Sequence, residues 1–303
     1  MRWRSKTLER IVAIIVNYKT YKLTIECVNS ILKNESRSVD IVIVDNASPN
    51  DSYKVLKQTY LSNNRVSVLK AFENRGYSAG LNCGLNFVKS QNYDYFLFAN
   101  NDLIFENNSI IGLVNTLKAN PQAGISGGMI VGSDGKVQVS LKERLTFIRH
   151  LKNTKPFYYF KFASLKNKDN YKEVLLFDGM VAGCCFMLSR RCLNVIGEFD
   201  ENIFLYYEED AISWKLYKNG LCCVINPHVK ILHLGSKTIS DSPETYFARY
   251  RSALYVLNKY ANVKKYKLVI IYLLYILNLK LLEKNEPSFK EKGLQLREFF
   301  MSL

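Results

Sequence analysis

The sequence predicts an α/β protein built on a mainly parallel sheet. Short β-branched runs (Ile11–Val16, Val39–Val44, Val66–Ala71, Tyr95–Ala99) alternate with segments of helical apolar spacing (Tyr21–Leu32, Ser52–Leu61, Ser78–Val88). Alternation of this kind over the first 130 residues means βαβ units with right-handed crossovers. The chain is 303 residues long, 48% hydrophobic and 23% charged, enough for one large domain or two small ones. Those fractions lie near globular averages and exclude collagen-like, coiled-coil and mostly disordered chains.

A sheet of this class binds ligands beyond the C-terminal ends of its strands, so the strand ends come first. The first strand ends in VNYKT, the second in IVIVDNASPNDS and the fourth in FLFANNDL, which places Asn17, Asp45, Asn46, Asn100, Asn101 and Asp102 on one edge. Asn50 and Asp51 also suit a turn and a helix N-cap. From about 132 to 173 the pattern weakens. Residues 142–172 hold nine Lys or Arg and two acids, which reads as a mobile, basic surface insertion. Regular structure resumes near Val174, with a helix over Glu208–Lys218, a strand over Cys222–Ile225 and helices over about 243–282. No internal repeat or low-complexity tract is present.

Lys plus Arg number 42 against 27 Asp plus Glu, a formal net charge of +15, which favours polyanionic partners: phosphate esters, anionic lipid heads or nucleic acid. A nucleic-acid module would gather these charges on one helix face or groove; here they scatter, so no nucleic-acid partner is expected. The seven cysteines include two adjacent pairs and no C-x-x-C, which argues against a disulfide framework or a zinc site and fits a reducing cytoplasm. The N-terminal apolar run IVAIIV is too short for a signal peptide. Leu268–Leu282, broken by Asn278 and Lys280, falls short of the about 20 apolar residues of a spanning helix.

The ordered series VDNASPNDS, ENRGYSAGLNCGLN, FANND and GCCFMLSRRCLNVIGEFDENIFLYYEED resembles the family 2 nucleotide-sugar glycosyltransferases, in particular bacterial rhamnosyltransferase-like and capsule or O-antigen enzymes, over about residues 11–255. The resemblance implies a glycosyltransferase-A fold, a divalent metal (Mg²⁺ or Mn²⁺), inversion at the anomeric carbon, and a UDP- or dTDP-sugar donor. It divides the chain into a catalytic domain over 1–242 and a helical extension over 243–303. Within the catalytic domain, 10–130 would hold the nucleotide sugar and 174–242 the acceptor.

The residues suit these roles. Asp45 can accept a hydrogen bond from a uracil or thymine imide N–H or a ribose hydroxyl. Asn74, Gly76, Gly80 and Asn82 form a Gly/Asn-rich turn into a helix, where backbone approaches a base closely and the helix start favours phosphate. Asn100-Asn101-Asp102 stands where the family carries its D-x-D metal motif, with only the last position acidic. His233 follows a late strand, where the family has a metal- or diphosphate-facing histidine. Tyr207-Glu208-Glu209-Asp210 opens a helix. The family's base falls at Glu209 by ungapped counting and at Asp210 by letter matching, and both stay open. Asp178, Gly183, Cys184 and Phe186 fall on the acceptor side, the cysteine reading equally as a small buried residue. Arg249 and Arg251 either clamp diphosphate or face solvent. The run after Lys264, Lys265 and Lys267 suits docking on an anionic membrane, a dimer interface or packing on the catalytic domain. A lipid-linked acceptor would make peripheral docking on the inner face of the membrane useful.

Competing readings are a sugar-phosphate nucleotidyltransferase, disfavoured because NYKTYK lacks a glycine after strand one, and a catalytically inactive sugar-nucleotide binder, allowed by the weakened metal motif.

Overall fold

The computed structural model describes residues 9–35, 39–106, 108–154, 172–235 and 242–303. The first half runs β1 (Ile11–Asn17), α1 (Tyr21–Asn34), β2 (Val39–Asp45), α2 (Ser52–Thr59), β3 (Val66–Lys70), α3 (Tyr77–Val88), β4 (Tyr95–Asn100), β5 (Leu103–Phe105), α4 (Ser109–Ala119) and β6 (Ala123–Gly132). Strand β1 is buried on both faces, so it reads as an unbroken apolar run. Ile11, Ala13 and Ile15 enter one core with α1, α2 and α4. Val12, Ile14 and Val16 enter the other with α3. Every strand and helix expected in the first 100 residues is present, with ends shifted by two residues or fewer.

The second half adds β7 (Leu141–Glu143), α5 (Phe147–Asn153), β8 (Leu175–Phe177), β9 (Gly179–Val181), β10 (Cys185–Ser189), α6 (Arg190–Ile196), α7 (Glu208–Lys218) and β11 (Cys222–His233). The main sheet has the order β3-β2-β1-β4-β10-β6-β11-β5, with β8 beside β11. Its β3-β2-β1-β4 half is wholly parallel. Strand β10 enters antiparallel to both β4 and β6, and the sheet is mixed from there. The chain winds from β1 to β2 and β3, then crosses back to β4 on the other side. That reversal opens a crevice at the C-terminal ends of β1 and β4.

Strand β11 extends beyond the expected Cys222–Ile225. Its register with β6 runs to Asn226↔Gly128 and resumes at Lys230↔Met129. The intervening bulge takes up Pro227, which cannot donate a ladder bond. Only glycine fits at 128, because a Cβ there would lie 2.5 Å from the Val229 carbonyl oxygen. Past the bulge, β11 pairs with β5 and sets His233 opposite Leu103.

The basic segment needs correction. Its described part, 132–154, is built into the fold: β7 pairs with β9 in a second small sheet, and α5 packs on the C-terminal helices. Ser140, Leu145 and His150 are buried. Residues 155–171 lie outside the described residues.

Three helices complete the chain: α8 (Pro243–Lys259), α9 (Lys265–Glu283) and α10 (Phe289–Ser302), the last unmarked in the sequence reading. They share a third core, in which Leu254, Leu257, Leu268, Ile271, Leu296 and Phe300 meet Leu145, Ile203 and Ala211. The Tyr250 and Tyr275 rings stack at its centre with centroids 3.7 Å apart. Arg251 lies 5.0 Å over the Phe299 ring, which makes it a helix-packing residue rather than a diphosphate clamp.

Candidate active site

At the ends of β1 and β2, Asp45 is fully buried. One carboxylate oxygen accepts from Asn17 Nδ2 at 2.7 Å and the other from the Ser48 backbone N–H at 3.0 Å. Asn17 Oδ1 accepts in turn from Thr24 Oγ1 at 2.8 Å. Asn101 donates to the Thr20 and Thr24 hydroxyls at 2.7 and 2.9 Å. Asn17, Asp45 and Asn101 thus form an internal network that fixes the strand ends to α1, and all three side chains turn inward. The neighbouring Asn46 is different. Its amide N–H₂ reaches Asn74 Oδ1 and the Gly76 carbonyl, both at 3.0 Å, while its own Oδ1 is buried without a hydrogen-bond partner.

Gly76 has φ +97°, and a Cβ there would sit 2.2 Å from the Phe204 carbonyl oxygen. The 74–77 turn therefore docks directly on the 204 backbone, which also accepts from the Tyr77 N–H at 2.8 Å. Gly80 seats α3 against Val16 and Asn46. Asn82 does not face the crevice. Its side chain bonds the Phe199 N–H and carbonyl and Glu201, tying α3 to the segment ahead of α7.

Asp102 and His233 are brought together by the β5–β11 pairing, with a carboxylate oxygen 3.3 Å from Nε2. Gln138 Oε1 lies 2.8 Å from His233 Nδ1. An amide oxygen only accepts, so Nδ1 carries the proton and Nε2 turns toward Asp102. A carboxylate and an imidazole held from behind form a donor pair that fits Mn²⁺ better than Mg²⁺, whose ligands are oxygens. Among the described residues no group of three or more His, Cys, Asp or Glu could hold an ion. Remaining ligands would be substrate oxygens and water. Asn100 joins the site through its backbone, its N–H donating to the Cys184 carbonyl at 2.8 Å.

Facing this edge, two consecutive tyrosines, Tyr206 and Tyr207, take left-handed φ of 64° and 67°. Bulky residues rarely adopt that conformation. It turns the chain sharply into α7 and delivers Glu208, Glu209 and Asp210. Lys142 on β7 donates to Glu209 Oε1 at 2.9 Å and to Asp210 Oδ2 at 2.7 Å. Asp210 is 2% exposed and Glu209 18%. Glu209 also lies against Gly183, its carboxyl carbon 3.2 Å from where a Cβ would stand. Burial pushes all three carboxyls up; Lys142 overrides this at Glu209, holding it below the ordinary value. Asp210 rises to about 6. Glu208, with a buried oxygen that has no partner, rises to about 8 through burial and its neighbour Glu209.

Asp178 stands apart. It pairs with Arg144, whose guanidinium lies 4.9 and 3.8 Å from the Trp214 and Tyr217 ring centroids, farther along α7. Arg249 stacks over Tyr206 at 4.8 Å and braces the strained turn.

Residues 12–197, more than half of the chain, match the family model for glycosyl transferase family 2. The chain belongs to this family. Among its relatives, an N-acetylglucosaminyl-diphospho-decaprenol L-rhamnosyltransferase of Mycobacterium tuberculosis is 24% identical over 235 residues, 73% of this chain and 74% of the relative. The low-salt glycan biosynthesis hexosyltransferase Agl10 of Haloferax volcanii is 26% identical over 225 residues, 72% of this chain and 66% of the relative. Among solved structures, GalNAc-T7 with UDP, GalNAc and Mn²⁺ superposes with a TM-score of 0.60 at 17% identity, over 82% of this chain and 48% of that one. S. aureus TarS 1–349 in complex with UDP gives 0.53 at 15%, over 88% and 70%. The likenesses carry the fold, glycosyltransferase-A, as the sequence reading expected.

This family 2 glycosyltransferase has three site features that the sequence reading missed. Lys142 falls in what the sequence marks as a basic surface insertion, Gln138 carries no local signal, and the left-handed Tyr206–Tyr207 pair leaves no mark in a one-dimensional pattern. A lysine 67 residues from its carboxylate has no local signature; the contact exists only because β7 runs alongside α7.

Proposed function

We propose that this glycosyltransferase is an inverting, metal-dependent hexosyltransferase, rhamnosyltransferase-like. In this reading it moves a sugar from a UDP- or dTDP-sugar to a hydroxyl of a lipid-linked glycan in cell-surface polysaccharide synthesis. The observation that carries the reading is the convergence on one sheet edge of three parts: the Asn46–Asn74–Gly76 cradle, the Asp102–His233 pair, and the carboxylate of Glu209 held ionised by Lys142. Asn46 Oδ1, a buried acceptor with no partner, would meet the imide N–H of a uracil or thymine once the 74–76 turn that covers it gives way. Asp45 supports it from behind rather than touching the base. Asp102 and His233 would hold the divalent cation, which when bound neutralises charge on the leaving diphosphate. Glu209 takes the proton from the attacking acceptor hydroxyl, on the Gly183 side. Asp210 is too enclosed to reach an acceptor and anchors Lys142 instead. The relative acting on a diphospho-decaprenol acceptor supports a lipid-linked acceptor here, and hence work at the inner face of the membrane.

A thermal-shift panel of UDP-, dTDP- and GDP-sugars with Mn²⁺ tests this. A cognate donor at about 100 times its dissociation constant adds roughly 2.7 kcal/mol of stability. Equal shifts with GDP-sugars, or none with any nucleotide, would refute the nucleotide assignment.

A further inference from the structure

Helix α9 is apolar on two opposite sides. Leu268, Ile271, Tyr275 and Leu279 are buried in the third core. On the other side Tyr266, Ile270, Leu273, Leu277 and Leu281 are each between 43% and 60% exposed. At about 100° per residue, these five fall within roughly 80° of arc, diametrically opposite the buried row. A helix apolar all round is normally covered all round; here one flank has no cover from the described residues.

We propose that this flank of α9 is the docking face for an anionic membrane, the helix lying flat with its stripe among the acyl chains near the headgroups. Three observations choose this occupant. First, lysines bracket the stripe: Lys264, Lys265 and Lys267 at one end, Lys280 and Lys284 at the other, with Lys280 projecting beside the stripe and Lys284 capping its C-terminal end by the same rotation count. The stems of Lys280 and Lys284 can run along apolar surface while their ammonium groups meet lipid phosphates; Lys265 is turned instead to the Phe300 carbonyl at 3.3 Å and Lys267 to the Phe147 ring, so these two add basic charge at that end of the helix without facing the stripe. Residues 264–303 hold eight Lys or Arg against four Asp or Glu, so the extension is basic as a whole.

Second, the stripe is small. Five half-exposed side chains present on the order of 550 Å², short of the roughly 800 Å² per partner that a specific protein interface buries. A second copy would gain little and would bring together two chains of formal charge +15. Third, no helix among the described residues is long and apolar enough to cross a membrane, which leaves an in-plane position. Docking of this kind rests on the helix face alone; its use, bringing the site to a lipid-linked acceptor, rests on the proposed function.

The test is co-sedimentation of the full chain, without donor, with vesicles of 3:1 phosphatidylcholine and phosphatidylglycerol and with pure phosphatidylcholine. Binding to the anionic vesicles should weaken about tenfold or more in Leu273→Glu/Leu277→Glu and again when salt is raised to about 0.5 M. Leu61→Glu, an exposed apolar position far along the chain in the first half, should leave binding unchanged. Both altered positions on α9 are exposed, so an unchanged melting temperature confirms folding. The proposal is overturned if the wild-type chain stays in the supernatant, if the double variant binds as the wild type does, or if the double variant instead converts a dimer to a monomer in size-exclusion chromatography. Vesicle binding does not depend on nucleotide, so a failed thermal-shift panel would leave this result standing, and the converse holds.

Discussion

Lys142→Met removes the cation that, among the described residues, touches both Glu209 and Asp210, and keeps a side chain of similar length. Asp210 is 2% exposed, so its carboxylate is left buried with no counter-charge; Lys142 itself is 40% exposed. Removing one partner of a fully buried pair costs about 3–5 kcal/mol. Solvent around the lysine discounts that, and about 2 kcal/mol is expected. In a chain of 303 residues that lowers the melting temperature by about 3 °C. Neutralising the orphan should recover part of it, so Lys142→Met/Asp210→Asn should be more stable than the sum of the single changes by about 1–2 kcal/mol. The catalytic consequence is separate. Lys142 holds the Glu209 carboxyl below its ordinary value. Without it the carboxyl titrates higher, and the acidic limb of the pH profile of kcat/KM moves to higher pH. Denaturant melts of the four proteins, with UDP release measured from pH 5 to 9, decide the matter. Wild-type stability in Lys142→Met together with an unmoved acidic limb would refute the role given to this lysine.

Asn46→Ala should cost UDP affinity about tenfold to a hundredfold by calorimetry and erode the preference for UDP over GDP; an unchanged preference would return the base contact to Asp45. Gly76→Ala forces a side chain into a conformation open essentially to glycine alone and onto the Phe204 carbonyl, so a loss of about 3 kcal/mol or more is expected in urea melts. His233→Ala and Asp102→Asn should each abolish the extra thermal shift that Mn²⁺ adds to UDP, and a full UDP-dependent shift in excess EDTA would exclude the metal role. Glu208 has a folded pKa of about 8, above its ordinary unfolded value; its carboxyl therefore costs the fold stability as pH rises between the two, and Glu208→Gln should flatten the fall in melting temperature between pH 5.5 and 8.5.

What was legible in the sequence follows from range. Strands β1, β2 and β4 could be read because burial on both faces writes a continuous apolar run. The site edge could be read because polar residues at three strand ends are local marks. Glu209 and Asp210 could not be separated in one dimension, since adjacent letters differ by about 100° of rotation. In the fold Asp210 shares a face with Trp214, four residues on, and turns into β7, whereas Glu209 turns to Gly183. The two sides of α9 were merged for a related reason: apolar residues on both flanks leave no periodic contrast to read, and only burial tells them apart.

The helical extension has a second consequence, for the acid-bearing turn. Tyr206 and Tyr207 in left-handed conformations cost on the order of 1–3 kcal/mol each, so something must hold them. Tyr207 packs edge-on against His150, with ring centroids 6.0 Å apart, and lies under Lys142. His150 in turn hydrogen-bonds Tyr275 on α9, and burial pushes its pKa down to about 4, so it stays neutral and can serve as packing. On the other side Ser252 Oγ on α8 donates to the Leu205 carbonyl at 3.0 Å. The inner side of α9 thus supports the turn that aims Glu209, while its outer side faces away from the core. Truncation after residue 262 would remove Tyr275 and loosen His150 beneath the turn, lowering turnover as well as any vesicle binding. Substitutions confined to the outer stripe should separate the two effects, because no residue of that stripe is buried against His150 or Tyr207.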